Sequence, residues 1–480
     1  MMKFDTSGLL GPQGDHALRI LNSLCLNGVA ADMSETGCGK TYVAAKVASV
    51  INKPIVVVCP KMVIPKWHKT LAEYGVKASL IINYEKLCRG NTPYLKYDKR
   101  QPHLKDNDRP ERCLTTKIKL PAGALVILDE SHKCKGQTSL NAGLMLALKR
   151  QGYMVLTLSA TQATNPLDMR AFGYTFNLHK DKDPDEKWNK NSFAQFCLDS
   201  GAEELGKWGA LTYNLEDKEA LAKMGWIHEN LFDFQRNSSR LTRDEMGALF
   251  PENQVLAECF DTGNDAKIAQ IWEDMELEMV RLEETCADYS QHIFAVIMKA
   301  RREAELLKVP AMVQMAEDFF DEGKSVVLFV SFTDTVEAIS KRLNHIKGLK
   351  GKIGYVIGGR DKKNLQDVED FQSDKLRMLV CNIAAGGVAI DLHDLNGKFP
   401  RASIINPNFS AIMMNQALGR IHRQGGLTKC HQVLFFANVA IEQKICRRVQ
   451  SRINNMGMLT DGDLLDKWNY FGKYFSNSNI

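Results

Sequence analysis

The stretch Ser34-Glu35-Thr36-Gly37-Cys38-Gly39-Lys40-Thr41 constrains this chain more than any other. An apolar run, Gly28-Val29-Ala30-Ala31, leads into it, and a helix-forming run, Tyr42-Val43-Ala44-Ala45-Lys46-Val47-Ala48, follows. Glycines in a loop between strand and helix let backbone N–H groups approach a phosphate with no Cβ in the way, and the helix start adds positive potential. On this reading Thr36, Gly37, Cys38 and Gly39 line a phosphate cradle. Lys40 reaches the β- and γ-phosphates, and Thr41 offers its hydroxyl to Mg²⁺. Ser34 stands where the general pattern has its first glycine. An ordinary glycine-rich turn is the other reading, so the rest of the chain must decide.

At 480 residues the chain exceeds a single core, and two or three domains are expected. Its 44% hydrophobic and 25% charged residues are those of an ordinary soluble globular protein. No apolar run approaches the roughly 18 residues of a membrane span, and the start of the chain lacks a signal-peptide layout. Twelve cysteines are scattered singly with no C-x-x-C pair, which suits neither a disulfide framework nor a zinc ribbon. A reducing, cytoplasmic compartment fits that usage. The net charge of +5 says little, but its distribution says more. From Lys86 to Lys119 ten basic residues face four acidic ones, with Tyr94, Tyr97 and three prolines among them. Two readings stand: a loop lying along a phosphate backbone, or a solvated surface loop.

In chain order, Gln13 precedes the cradle in a Gly- and Pro-containing loop, and its amide is able to pair with an adenine edge. Pro54-Ile55-Val56-Val57-Val58-Cys59-Pro60 has the pattern of a buried parallel strand. Ligands sit beyond the carboxyl ends of such strands, which places Lys61 and Lys66 toward a polyanion. Trp67 in the following helix reads first as a core anchor. Leu80-Ile81-Ile82-Asn83 is a further strand, and the alternation argues for a doubly wound parallel sheet. Ala124–Leu128 then ends in Asp129-Glu130-Ser131-His132. Asp129 at a strand end suits Mg²⁺, and Glu130 suits the attacking water; a solvated acidic turn is the alternative. His132, able to donate and accept, can bridge this site to a neighbouring segment. Met154–Leu158 is another strand, ending in Ser159-Ala160-Thr161.

Residues 166–251 change character, with dense charge and short helical stretches, and read as an accessory insertion on the first lobe. From Ala266 to Leu307 a helical spacing of Ile, Met and Leu runs without Gly or Pro, so one or two long connecting helices are expected. A second α/β alternation begins near Val309. Val326–Val330, Lys352–Ile357, Met378–Cys381 and Ser403–Ile405 have strand patterns. Ser331 follows the first of these, and Asn382, Gly386 and Asp391 follow the third. Gln416 to Arg423 reads as a helix in which Arg420 and Arg423 share a face and require an anion, either a γ-phosphate or structural carboxylates. The implied division is 1–165, 166–255, 256–307 and 308–480. Glu322-Gly323-Lys324 is a plain turn before a strand, so no nuclease is indicated.

Taken in this order, the blocks resemble helicase superfamily two, and within it the Swi/Snf-like DNA-dependent ATPases. The resemblance rests on Asp32–Thr41, Val57–Trp67, Asn83-Tyr84-Glu85, Asp129–Lys135, Ser239–Arg243 with Phe250-Pro251, Gln416–Gly425 and Phe435–Gln450. It implies two RecA-like lobes, with ATP and Mg²⁺ as cofactors and DNA as partner. By resemblance Gln13 reads adenine, Lys40 and Thr41 hold phosphate and metal, and Asp129 and Glu130 serve metal and water. Gln416, Arg420 and Arg423 complete the site from the second lobe, and Asp391 joins the nucleotide side. Lys61, Lys66, Ser159, Thr161, Ser331, Asn382 and Gly386 lie toward nucleic acid, with His132, Ser159 and Thr161 coupling the two activities. Departures are Ser-Ala-Thr at 159–161, Ile383-Ala384 where a Thr-Arg pair is usual, and Ala389 in place of glycine.

The expected activity is ATP-driven movement along DNA. A strand-separating DNA or RNA helicase is the alternative within enzymes. A non-hydrolysing DNA clamp is the alternative outside them, and an intact Lys40, Glu130, Arg420 and Arg423 argue against it.

Overall fold

The computed structural model describes residues 4–88, 92–96, 117–135, 139–180, 193–205, 210–214, 217–285, 290–386, 390–408, 410–447 and 449. Most of the basic stretch after Lys86, and positions 387–389, lie outside the described residues. The chain forms two compact units, one running to Gly247 and the other starting at Ala248.

The first unit is built on a six-stranded, all-parallel sheet. Its strands are β1 (Val29–Asp32), β2 (Ile55–Cys59), β3 (Leu80–Asn83), β4 (Leu125–Asp129), β5 (Met154–Leu158) and β6 (Ser238–Ser239), in the spatial order β6-β1-β5-β4-β2-β3. β1, β2 and β4 are buried along their whole length, which is why each reads as an unbroken apolar run. Register aligns the functional ends. Asp32 of β1 and Asp129 of β4 both pair with Leu158 of β5, so the loops leaving β1 and β4 emerge in one row. Helix α1 (Gln13–Asn27) precedes β1 and closes on Gly28, whose φ of 69° lets its N–H return to Leu24 O. Helices α2 (Lys40–Val50), α3 (Ile64–Glu73) and α4 (Leu140–Arg150) connect the strands. The segment expected as an accessory insertion contributes Phe172, Phe176, Phe196, Met224, Ile227 and Leu231 to the same core as β1, β2 and β4.

The second unit has its own six-stranded parallel sheet. It comprises β7 (Asn253–Phe260), β8 (Ser325–Val330), β9 (Ile353–Val356), β10 (Met378–Asn382), β11 (Arg401–Ile405) and β12 (Cys430–Ala437), ordered β7-β12-β11-β8-β10-β9. β7 pairs with β12 from Asn253↔Cys430 to Phe260↔Ala437. Two long helices, α5 (Asp265–Thr285) and α6 (Ser290–Asp321), precede β8. α6 runs through Pro310, past the point where the second alternation was expected to begin. A mid-helix proline costs about 3 kcal/mol. Burial of Val309, Met312, Val313 and Ala316 against β8 and its neighbours offsets it. Helices α7 (Thr333–Leu343) and α8 (Ala411–Ile421) complete the elements used below. Among the described residues no helix is long and apolar enough to cross a membrane.

Candidate active site

The loop after β1 turns on Gly37 and Gly39, at φ 94° and 85°, a region that L side chains rarely adopt. α2 then starts at Lys40. The Lys40 ammonium donates to Ser34 O at 2.7 Å and Glu35 O at 3.0 Å, so it spans the loop mouth where a polyphosphate would lie. Thr41 is half-buried on the first turn of α2. Cys38 is buried, and desolvation pushes its thiol up to about 12, so it packs as a small neutral side chain. Gln13 was expected in a loop; it instead opens α1, where the turn from Leu10 already satisfies helical hydrogen bonding. Its amide accepts from Leu10 N and donates to Cys38 O, both at 2.9 Å, tying α1 to the cradle.

The segment after β6 lies along the first half of this loop. Met33 N donates to Ser239 O, Glu35 N to Leu241 O, and Leu241 N to Ser34 Oγ at 3.0 Å. Arg240 donates to Met33 O and to the Glu35 carboxylate. Arg243 donates to Thr36 O at 3.2 Å and Thr36 Oγ1 at 2.6 Å. Beneath them His16 is fully buried, with Nε2 3.1 Å from Asp32 Oδ1 and Nδ1 2.8 Å from Ser239 Oγ. Burial alone would raise the Asp32 carboxyl, but His16, Lys40 and Ser34 together hold it below the usual range.

At the end of β4, Asp129 is buried and its carboxyl is pushed up to about 6. Burial is the largest cause and the neighbouring Glu130 charge the second; Trp67, Lys40 and Lys66 oppose them. Lys66, expected toward a polyanion, therefore acts electrostatically on this carboxylate. Trp67 is fully buried, as a core anchor should be, but its indole N–H also donates to Asp129 Oδ2 at 2.8 Å. The Tyr84 hydroxyl donates to Asp129 O at 2.9 Å. Glu130 adopts a left-handed φ of 54°, a strained backbone for a non-glycine, where β4 gives way to the turn carrying Ser131 and His132. His132 Nδ1 lies 3.3 Å from the Glu130 carboxylate and 3.2 Å from Ser159 Oγ. Ser159 Oγ in turn donates to Thr161 O and accepts from Thr161 N. The structure thus joins Glu130, His132, Ser159 and Thr161 in one chain. Lys61 is exposed on the turn after β2.

Within the second unit, Ser331 and Asn382 are brought together: Asn382 Nδ2 donates to Ser331 O at 2.9 Å. The Ser331 and Phe332 N–H groups both donate to the buried Glu305 carboxylate. Gly386 ends a short helical turn from Ile383. Arg420 and Arg423 do not share a helix face, because α8 closes at Ile421 and the chain is extended at His422. Arg420 is buried, donating to Gln416 O and Ile390 O. Arg423 lies beyond the helix and forms an ion pair with Asp391. Gln416 is buried on α8.

The residues in reach of the cradle are an ammonium, a threonine hydroxyl and a buried carboxylate beside glycine N–H groups. The hydroxyl and the carboxylate are hard oxygen ligands of the kind Mg²⁺ takes, while the ammonium and the N–H groups suit the phosphates. Sequence reading missed the second role of Trp67, since nothing in an apolar helix says what an indole N–H will face. It also gave Arg240 and Arg243 no role in the cradle.

Two family models match the chain: the "Type III restriction enzyme, res subunit" model over residues 31–164 and the "Helicase conserved C-terminal domain" model over residues 308–425. A "Putative ATP-dependent RNA helicase L364" of Acanthamoeba polyphaga mimivirus is 33% identical over 96% of this chain and 85% of its own length. The chain belongs to helicase superfamily two. As a superfamily-two helicase it is an ATP-hydrolysing motor of the helicase type. The DNA repair protein RAD5 of Candida glabrata is 27% identical over 32% of this chain and 14% of its own length. Among solved structures, the Sulfolobus solfataricus SWI2/SNF2 ATPase core in complex with dsDNA aligns over 97% of this chain and 95% of that one, at 15% identity and a TM-score of 0.34. S. cerevisiae Dbp5 bound to RNA and ADP BeF3 aligns over 95% of this chain and 94% of that one, at 12% identity and a TM-score of 0.47.

Proposed function

We propose that this helicase is a DNA-stimulated ATPase that moves along DNA. In this reading Gln13 contacts adenine, and Thr36 to Thr41 hold the phosphates. Thr41 and Asp129 hold Mg²⁺, which supplies Lewis-acid neutralisation of the phosphate charge. Glu130 orients the attacking water and accepts its proton, while Arg423 supplies positive charge to the γ-phosphate. Lys61, Lys66, Ser159, Thr161, Asn382 and Gly386 belong to the nucleic-acid side. Ser331 contributes by positioning, since its N–H is committed to Glu305.

The observation that carries the proposal is the unbroken run from Glu130 through His132 and Ser159 to Thr161. A shift of the 159–161 segment under a nucleic-acid strand would move His132, and with it the carboxylate that handles water. Such wiring gives hydrolysis a reason to depend on nucleic acid. Grip directed at phosphates makes binding salt-sensitive and weak in sequence preference.

A strand-separating RNA helicase is the second reading, favoured by the name of the mimivirus relative. Phosphate release measured with duplex DNA, single-stranded DNA and RNA, beside unwinding of a forked duplex, separates the two. The translocase reading expects stimulation by duplex DNA without unwinding of the fork. Stimulation by RNA alone, with RNA duplex unwinding, would establish the second reading in its place.

A further inference from the structure

We propose that Glu35 is a repulsive charge built into the phosphate cradle, and that Arg240 and Arg243 are positioning residues that cancel it and hold the loop open for ATP. The proposal rests on the reading of Ser34–Thr41 as the phosphate site.

A carboxylate inside a polyphosphate loop opposes its ligand unless it is neutralised. Glu35 occupies the second position of the loop, and its own carbonyl accepts from Lys40 Nζ at 3.0 Å, so its backbone lies at the mouth. Both carboxylate oxygens are taken from a segment more than 200 residues away. Oε1 lies 3.3 Å from Arg240 Nη2, while Oε2 lies 3.2 Å from Arg243 N and 3.6 Å from Arg243 Nε. The side chains are nearly dry, with Glu35 12%, Arg240 10% and Arg243 12% exposed. Charges this shielded from water act on one another and on a nearby phosphate far more strongly than surface charges do.

The arginines also fix loop shape. Arg240 Nη1 donates to Met33 O at 2.9 Å, just ahead of the loop, and Arg243 grips Thr36 by its carbonyl and hydroxyl. With Glu35 N on Leu241 O and Leu241 N on Ser34 Oγ, the loop's first half is paired edge to edge with residues 239–243. This pairing leaves the Gly37–Gly39 half, whose N–H groups suit phosphate, shaped in advance. Arg243 opens a short helix to Met246 that carries a full capping box at Thr242 and Glu245, so the arginine springs from a fixed base. The helix is followed at Ala248 by the start of the second unit. The cradle is therefore hydrogen-bonded directly to the last described segment of the unit that contains it.

Two roles predict different outcomes. If the arginines are only a structural bridge, Glu35→Gln and Arg240→Ala break the same contact and weaken ATP binding alike. If they cancel a repulsive charge, Glu35→Gln removes the repulsion itself and leaves binding intact.

The test is the affinity of the full-length protein for a fluorescent ATP analogue with Mg²⁺, measured for wild type, K40A, E35Q, R240A and the E35Q/R240A pair. Arg240→Ala should weaken binding about tenfold or more, Glu35→Gln should bind at least as tightly as wild type, and the pair should return to within about threefold of wild type. A pair as weak as R240A, or an E35Q variant as weak as R240A, overturns the proposal. Should R240A lose its fold, Arg240→Gln keeps much of the side-chain volume and carries the same comparison. K40A reports separately on the cradle: undiminished binding there removes the phosphate site and not merely its neutralisation.

Discussion

The indole N–H of Trp67 donates to the Asp129 carboxylate at 2.8 Å across 62 residues of chain. It fixes one oxygen of the carboxylate that would hold Mg²⁺. Trp67→Phe preserves most of the packing and removes only the donor. Losing a hydrogen bond to a charged group costs ~1.5–3 kcal/mol, so the Mg²⁺ concentration for half-maximal ATP hydrolysis should rise by between about tenfold and a hundredfold. A Mg²⁺ titration of phosphate release checks this. An unchanged curve would reduce Trp67 to a packing residue.

Acid should weaken metal binding over an unusual range. Burial first, then the Glu130 charge, raises the Asp129 carboxyl to about 6. A raised value means that the proton is held at pH values where an ordinary aspartate is already charged. A protonated carboxyl does not ligate Mg²⁺, so affinity should climb between pH 5 and 7, centred at about 6, and level off above. Mg²⁺-dependent binding of a nucleotide analogue at stepped pH measures it. Trp67→Phe should move the rise to higher pH, because Trp67 lowers this carboxyl.

Lys308 and Glu442 form a buried pair at 2.9 Å in the second unit, with side chains 3% and 5% exposed. Glu442 also accepts from Ala437 N at 2.7 Å. Lys308→Met strands that carboxylate and should destabilise the unit by about 3–5 kcal/mol, whereas replacing both partners with apolar residues should cost less. Chemical denaturation followed by circular dichroism checks the order of the two variants.

Arg423 finds its anion in Asp391, in the same unit. If its charge also serves the γ-phosphate, Arg423→Ala should lower kcat by about a hundredfold or more while nucleotide affinity stays within about threefold. A loss confined to KM would place Arg423 in binding alone. Asp391→Asn separates the pair from the reaction, since it leaves the guanidinium in place.

Much of this architecture was legible in the residues. β1, β2, β4, β5, β8 and β10 are buried in parallel sheets, so they appear as apolar runs with glycine, proline or a polar residue at their ends. The cradle was legible because glycine spacing states a backbone requirement directly. β6 was not, because Ser238-Ser239 carries no pattern and is held by its neighbour's hydrogen bonds. β7 opens on the polar pair Asn253-Gln254 and is interrupted again by Glu258, and so hid its place beside β12. Helix α6 crosses Pro310 because tertiary burial outweighs the local penalty. The i, i+3 spacing of Arg420 and Arg423 was real, but only the structure could say that α8 ends between them.

The most direct test of the account is steady-state phosphate release with and without duplex DNA, for the wild type and Glu130→Gln. Duplex DNA should raise the wild-type rate about tenfold or more, and Glu130→Gln should abolish the DNA-dependent part while ATP binding persists. A wild-type rate indifferent to duplex DNA, or normal DNA-stimulated hydrolysis by Glu130→Gln, would contradict it.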